Sequence, residues 1–326
     1  MIDLLSHKTT RYSDIQYALE QERKVGLPMV RMHGVNVFTD CPDLYSQMLQ
    51  VPETPILDSS TNFYYLTDWP IILGDTYELT PMSSGNSGEI YTDYGLNEFV
   101  FGGLNKFGTL ISMVYGISAL RAIEFGRLGV HSASLYDREL NTTHIIMGAN
   151  KSGKSSISTQ LEATERFILL ADDWNEIDLH NNSVVPKSMV FSMDQPDMTK
   201  YRLLFSSFGK NFFTKERQPV SPRRLGKVII LTPDDTRGID NYEQFMEIES
   251  HIPFVVDGFG YNGDVTQLTQ GTAVDHFRQL VDYRLESLFR GYQYLVNGEN
   301  VEVVKNDRTK TIAELSLSIF NLLDKP

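Results

Sequence analysis

Cysteine is all but missing from this chain of 326 residues: Cys41 stands alone, so no disulfide can close within it. Disulfides persist in oxidising compartments. Their exclusion, with no secretory pattern over Met1 to Gly26, sets a cytoplasmic location as the expectation. Long hydrophobic runs are also lacking. No stretch reaches the roughly 20 apolar residues of a spanning helix, so no membrane partner is expected. A basic surplus is absent as well, since 29 Lys and Arg face 42 Asp and Glu for a net charge of −13. General nucleic-acid binders carry net positive charge, so no nucleic-acid partner is expected. What remains, 41% hydrophobic and 22% charged residues, is ordinary for one large globular domain or a core with a smaller companion.

One segment says more than the rest. A short apolar run, Ile145 to Met147, leads into Gly148-Ala-Asn-Lys-Ser-Gly-Lys-Ser155. This fits G-x-x-x-x-G-K-[ST], a loop whose backbone N–H groups surround phosphate oxygens. In such a loop Lys154 reaches the outer phosphates and the Ser155 hydroxyl sits on Mg²⁺. The candidate nucleotide-binding residues are therefore Gly148, Asn150, Lys151, Ser152, Gly153, Lys154, Ser155 and Ser156.

Ser155 to about Glu165 reads as a short helix whose N-terminus faces the phosphates. Phe167 to Ala171 reads as a second buried strand, joined to the first by a minimal βαβ crossover that makes the two parallel neighbours. Parallel strands end at the same sheet edge, so Asp172 and Asp173 are expected beside the loop. A pair of aspartates at a strand end also serves as a turn or helix cap, which is the plainer alternative.

A histidine is placed by register. Gly129 to Tyr136 precedes the loop strand, with the polar turn Asp137 to Thr142 between. In a hairpin centred on that turn, facing residue numbers add to 279, which sets His131 opposite Gly148. There it can donate to a phosphate oxygen or orient a nucleophile; a structural histidine at a strand end is the other reading.

Elsewhere, Ser13 to Lys24 reads as a helix, and Met29 to Phe38 and Asn62 to Leu66 as strands. Gly88 to Tyr94 and Asn97 to Phe101 form an expected antiparallel pair, and Phe107 to Phe125 a core-facing helix. Val228 to Leu231 and Val301 to Val304 read as strands. Ala273 to Val296 reads as an amphipathic helix broken near Gly291, and Thr309 to Leu323 as a final helix. The fold class is α/β, with an N-terminal α+β portion over residues 1–106 and a catalytic domain over 107–326. A basic stretch, Lys210, Lys215, Arg217, Arg223, Arg224 and Lys227, offers contacts to a nucleotide's phosphates or to an anionic acceptor. Arg223 and Arg224 are its substrate-binding candidates; a solvated loop is the alternative.

His131, the loop Gly148 to Ser155 and the pair Asp172-Asp173 together resemble the HPr kinase/phosphorylase family, which shares a catalytic core with phosphoenolpyruvate carboxykinases. The similarity runs from Gly129 to about Asp178, and its discriminating feature is the short step of 18 residues from Lys154 to Asp172. The resemblance implies a P-loop core with a mixed sheet that moves the ATP γ-phosphate to a serine-type hydroxyl. It implies Mg²⁺ on Ser155 and Asp172, Asp173 as base, His131 steadying the phosphoryl group and Lys154 on the β/γ oxygens. The family's E-I-R-G-L-G-like segment is missing after the acid pair; Asp194, Asp197 and Asp257 are candidates to replace its metal carboxylate, though each is more simply a loop residue. A divergent member is the resulting expectation, acting on a small molecule or peptide hydroxyl and compatible with a homo-oligomer. The alternatives are an HPr-type protein serine kinase, a carboxykinase-like lyase and a non-catalytic nucleotide-binding regulator.

Overall fold

The computed structural model describes residues 26–51, 61–67, 77–82, 86–92, 98–103, 107–149, 151–188, 190–193, 197–207, 210–215, 222–232, 283, 286–295, 297–306 and 310–324. The helix expected over Ser13 to Lys24 lies outside them. The architecture is mixed α/β. Chain contacts divide it into two compact units, Met1–Ile117 with Ile252–Tyr283, and Ser118–His251 with Arg284–Pro326. Among the described residues no helix is long and apolar enough to cross a membrane.

In the first unit, β1 (Met29–Met32) and β2 (Val35–Thr39) form a hairpin. The sequence pattern predicts one strand here, and the structure corrects it. His33 and Gly34 both take positive φ, 49° and 89°, the conformation of a two-residue turn that matches strand twist. Helix α1 (Pro42–Met48) follows, then β3 (Thr61–Leu66), β4 (Tyr77–Met82), β5 (Asn86–Thr92) and β6 (Glu98–Gly103). The six-stranded order is β1-β2-β3-β6-β5-β4, and β5 pairs β6 antiparallel as expected. Phe63, Tyr65, Phe99 and Phe101 bury their rings in this sheet's core. Helix α2 (Phe107–Ala122) begins in this unit, its residues from Ser118 on count with the second, and it continues as a 3₁₀ turn, Ile123–Phe125. Every residue from Met113 to Leu120 is buried, so this helix is covered all round rather than on one stripe.

The second unit runs β7 (Arg127–Val130), β8 (Ser132–Asp137), β9 (Thr142–Gly148), α3 (Lys154–Glu162) and β10 (Phe167–Ala171). Next come β11 (Asn175–Asp178), β12 (Ser183–Pro186), β13 (Phe191–Ser192), β14 (Tyr201–Ser207), β15 (Lys210–Lys215) and β16 (Arg223–Thr232). A helix over 286–295, α4, then β17 (Val301–Lys305) and α5 (Ile312–Leu323) complete it. The large sheet is ordered β10-β8-β9-β16-β12-β11-β7, with β17 added on β16. Strands β13, β15 and β14 form a small sheet of their own.

β9 and β10 are parallel but not neighbours, which corrects the expected crossover. Both run antiparallel to β8, which lies between them. A helix is about 10 Å across and strands lie about 4.8 Å apart, so a crossover that steps over one strand fits the width of α3. The place beside β9 goes to β16, parallel, with Leu231 paired to Gly148. Ile146, Ile157, Leu161, Leu169, Ile229, Leu315 and Ile319 fill the layer between this sheet and helices α3 and α5. That layer fixes where the loop between β9 and α3 emerges.

Helix α4 passes through Gly291 without a break, against the expected interruption. A Cβ on Gly291 would stand 3.0 Å from Leu128 Cδ1. The glycine allows close packing there and does not end the helix. Thr311 starts α5 with a reciprocal cap, its side chain accepting from Glu314 N while Glu314 accepts from Thr311 N.

Candidate functional site

The loop after β9 is shaped by backbone that only certain residues tolerate. Gly148 has φ 155°, and a Cβ there would meet Leu231 O at 2.8 Å and Ser152 Oγ at 2.7 Å. Gly153 enters α3 at φ 92°, and Lys151 takes φ 63°. Positive φ is nearly free for glycine and costly for most other residues, so both glycines are required by the turn itself. Ser152 N donates to Ala149 O at 3.1 Å. Asn150 lies outside the described residues.

Lys154 opens α3, and its ammonium is folded over the loop. It donates to Gly148 O at 2.7 Å and Ala149 O at 3.1 Å, and only 5% of the residue is exposed. The next residue, Ser155, donates its hydroxyl to Asp172 Oδ1 at 3.0 Å. Ser156 faces solvent in the first turn. Loop, lysine and hydroxyl thus converge at the N-terminus of a helix, where N–H groups and dipole favour an anion.

Asp172 is wholly buried at the end of β10. Burial, and then the charge of Asp173, push its carboxyl up to about 7, against an ordinary value of 3.8. Asp172 Oδ2 has no hydrogen-bond partner among the described residues. An orphaned buried carboxylate oxygen is expensive unless a ligand completes it. Asp173 turns the chain at φ 68° and is part-exposed, so the two acids sit in different environments. Its Oδ1 lies 3.8 Å from His131 Nε2, with His131 itself buried. The β8–β9 pairs run Ser132↔Met147, Ala133↔Ile146 and on to Asp137↔Thr142, each adding to 279. His131 therefore stands in register with Gly148, one step beyond the last pair.

Among the described residues no group of three or more His, Cys, Asp or Glu could hold a metal. Ser155 and Asp172 supply two oxygens, which fits Mg²⁺, an ion that takes one or two protein ligands and completes its shell with phosphates and water.

The folded-state pKa of Asp172 lies above its unfolded value, so folding takes up a proton between them. That stabilising contribution is complete below about pH 4 and is lost as pH rises through 7. Asp172→Asn is therefore expected to stabilise the metal-free protein by roughly 4 kcal/mol at pH 8 and by less than about 1 kcal/mol near pH 4. Thermal melts at both values check it. An unchanged Tm at pH 8 would mean that the carboxyl is not held dry.

Arg223 and Arg224 are not brought to this place. They begin β16, paired with Val184 and Ser183, while its far end, Leu231, meets Gly148. Eight residues of strand span about 25 Å. Arg223 lies over the Tyr136 ring at 3.9 Å, near the opposite edge of the sheet. The rest of the basic stretch disperses similarly. Lys215 is buried against Glu162, and Lys227 donates to Leu322 O at 2.8 Å in the last turn of α5. Arg217 lies outside the described residues, as do Asp194 and Asp257. Asp197 closes a turn, accepting from Thr199 N and Oγ1 at 3.0 and 2.7 Å.

Two asparagines that the motif does not predict touch the site. Asn306, just past β17, donates its side-chain amide to Ser152 O at 2.5 Å. Asn175 donates to Ser132 O and Oγ beside His131. Asn306 follows the last strand of a parallel set, and strand ends at that edge are where such residues belong.

No family model matches this chain, and no curated protein does. Among solved structures it is similar to the Hpr(Ser) kinase/phosphatase from Coxiella burnetii, at 17% identity and TM-score 0.21, over 34% of this chain and 70% of that one.

Proposed function

We propose that this protein is a Mg²⁺-dependent kinase that transfers the ATP γ-phosphate to a hydroxyl of a small molecule or peptide. The observation that carries the reading is the division of labour in the acid pair. Asp172 is dry, held by Ser155 and short of one partner; Asp173 is wet enough to meet an acceptor and faces His131. Phosphoryl transfer needs in-line positioning, charge neutralisation and one carboxylate near the attacking hydroxyl. Adjacent acids in unlike surroundings meet the last two needs.

The residues act as follows in this reading. The loop N–H groups and the N-terminus of α3 hold phosphate oxygens. Lys154 exchanges its two loop carbonyls for β/γ oxygens, so its charge moves a short way onto the transferred group. Ser155 and Asp172 hold Mg²⁺, which neutralises phosphate charge when bound. Asp173 Oδ accepts the acceptor's hydroxyl proton as attack proceeds. His131 Nε2 steadies that carboxylate and the phosphoryl group. The part-exposed position of Asp173 admits an acceptor from solvent.

The test is ADP release from γ-labelled ATP across a panel of hydroxy compounds and serine peptides. Turnover must depend on the acceptor. Lys154→Ala is expected to lower it by about 10²–10³-fold, the usual loss when one charge-stabilising donor is removed. A variant with wild-type turnover would overturn the assignment. Tight nucleotide binding with no turnover on any acceptor would favour a nucleotide-binding regulator instead.

A further inference from the structure

Arg127 to Asp137 is one run of strand interrupted at a single residue. β7 ends at Val130 and β8 begins at Ser132, so His131 is the joint. The two halves take different neighbours, β11 for β7, and β9 and β10 for β8. His131 falls in neither strand, so its direction has to be set by something other than strand pairing.

Asn175 grips the chain on both sides of that joint. Its backbone pairs with Val130, the residue before His131. Its side-chain amide donates to Ser132 O at 2.8 Å and Ser132 Oγ at 3.0 Å, on the residue after. Asn175 is 0% exposed and lies two residues beyond Asp173. One short segment therefore carries both a carboxylate and the clamp that aims an imidazole at it.

The choice of residue is informative. A primary amide presents two donors on one plane, and both are used here on a single neighbour. Its Oδ1 has no hydrogen-bond partner among the described residues. Burying a carbonyl without a partner is a cost that an apolar residue would avoid. We infer that Asn175 is a positioning residue, which sets the reach of His131 Nε2 to Asp173 Oδ1 by clamping the joint on either side of His131. The inference rests on the kinase reading for its rate measurements alone.

The experiment is a double-mutant cycle with a spectroscopic control. Asn175→Ala is expected to lower kcat by about 10–100-fold while KM for ATP stays within about twofold, the pattern of a lost orienting partner. Ser132→Ala removes one acceptor and spares the carbonyl, and is expected to give a smaller loss in the same direction. That variant keeps the test alive should Asn175→Ala fail to fold. In a His131→Ala background, Asn175→Ala is expected to lower kcat no further, because the clamp acts only through the imidazole. Losses that multiply in the double variant overturn the inference, as does a change confined to KM for ATP. The His131 ring signals in NMR spectra report on the clamp without any turnover. They are expected to move in Asn175→Ala, and unmoved signals overturn the inference. A wild-type chain that forms no ADP sinks the kinase reading alone and leaves those signals to decide.

Discussion

Asp173→Asn is expected to lower acceptor-dependent turnover by about 10²–10⁴-fold, the usual loss of a general base, with nucleotide affinity held within about twofold. Asparagine keeps the volume and the accepting oxygen that faces His131, so the turn at φ 68° is preserved; asparagine tolerates that conformation as well as aspartate. What is removed is the ability to take a proton. The substitution also removes a negative charge beside Asp172. That charge is one of the two causes raising the Asp172 carboxyl, so Asp172 ionises more readily in the variant and metal binding near neutral pH is not weakened. A drop in rate therefore reports on the base and not on loss of Mg²⁺. Steady-state rates beside titration calorimetry with a non-hydrolysable nucleotide make the measurement. A variant that keeps more than about a tenth of the wild-type rate refutes the base assignment.

A buried ion pair closes the other end of α3. Glu162, at the end of α3, is 6% exposed and accepts from Leu169 N at 2.9 Å, Tyr201 Oη at 2.6 Å and the Lys215 ammonium. Lys215 donates further to Leu169 O at 2.7 Å and lies over the rings of Tyr201 and Phe191. Burial lowers the Lys215 pKa and Glu162 opposes that shift, so the ammonium depends on this carboxylate partner. Lys215→Ala leaves a carboxylate in a dry site with one cation lost. The expected cost is about 3–5 kcal/mol, or a fall in Tm of about 10 °C for a unit of this size. Adding Glu162→Gln to Lys215→Met is expected to recover a good part of that loss, because neither buried charge remains. Denaturant unfolding of both variants decides between them. A single variant that loses less than about 1 kcal/mol would show that the pair is solvated.

The sequence was most legible where local chemistry alone specifies conformation. Gly148 and Gly153 sit where positive φ is needed, and the turn over Arg138 to Asn141 sets a register that follows from counting. Position along a strand was harder to read. Arg223 and Arg224 lie close in sequence to the apolar run of β16, yet which end of that strand meets the loop depends on its pairing with β9. The hairpin at His33 was hidden because histidine is not a usual residue for the first place of such a turn. Gly291 misled in the opposite way, since its glycine answers to Leu128 from another element. Asn175 and Asn306 make contacts across 43 and 154 residues of chain. No local pattern signals a partner at that separation.

Because Asn306 lies 154 residues beyond Ser152, the loop gains this brace only after all the intervening chain has been made. Until β17 joins β16, the nascent polypeptide carries the Gly148 to Ser155 segment without Asn306 against it. Closing a loop of that span slows the approach to the native state.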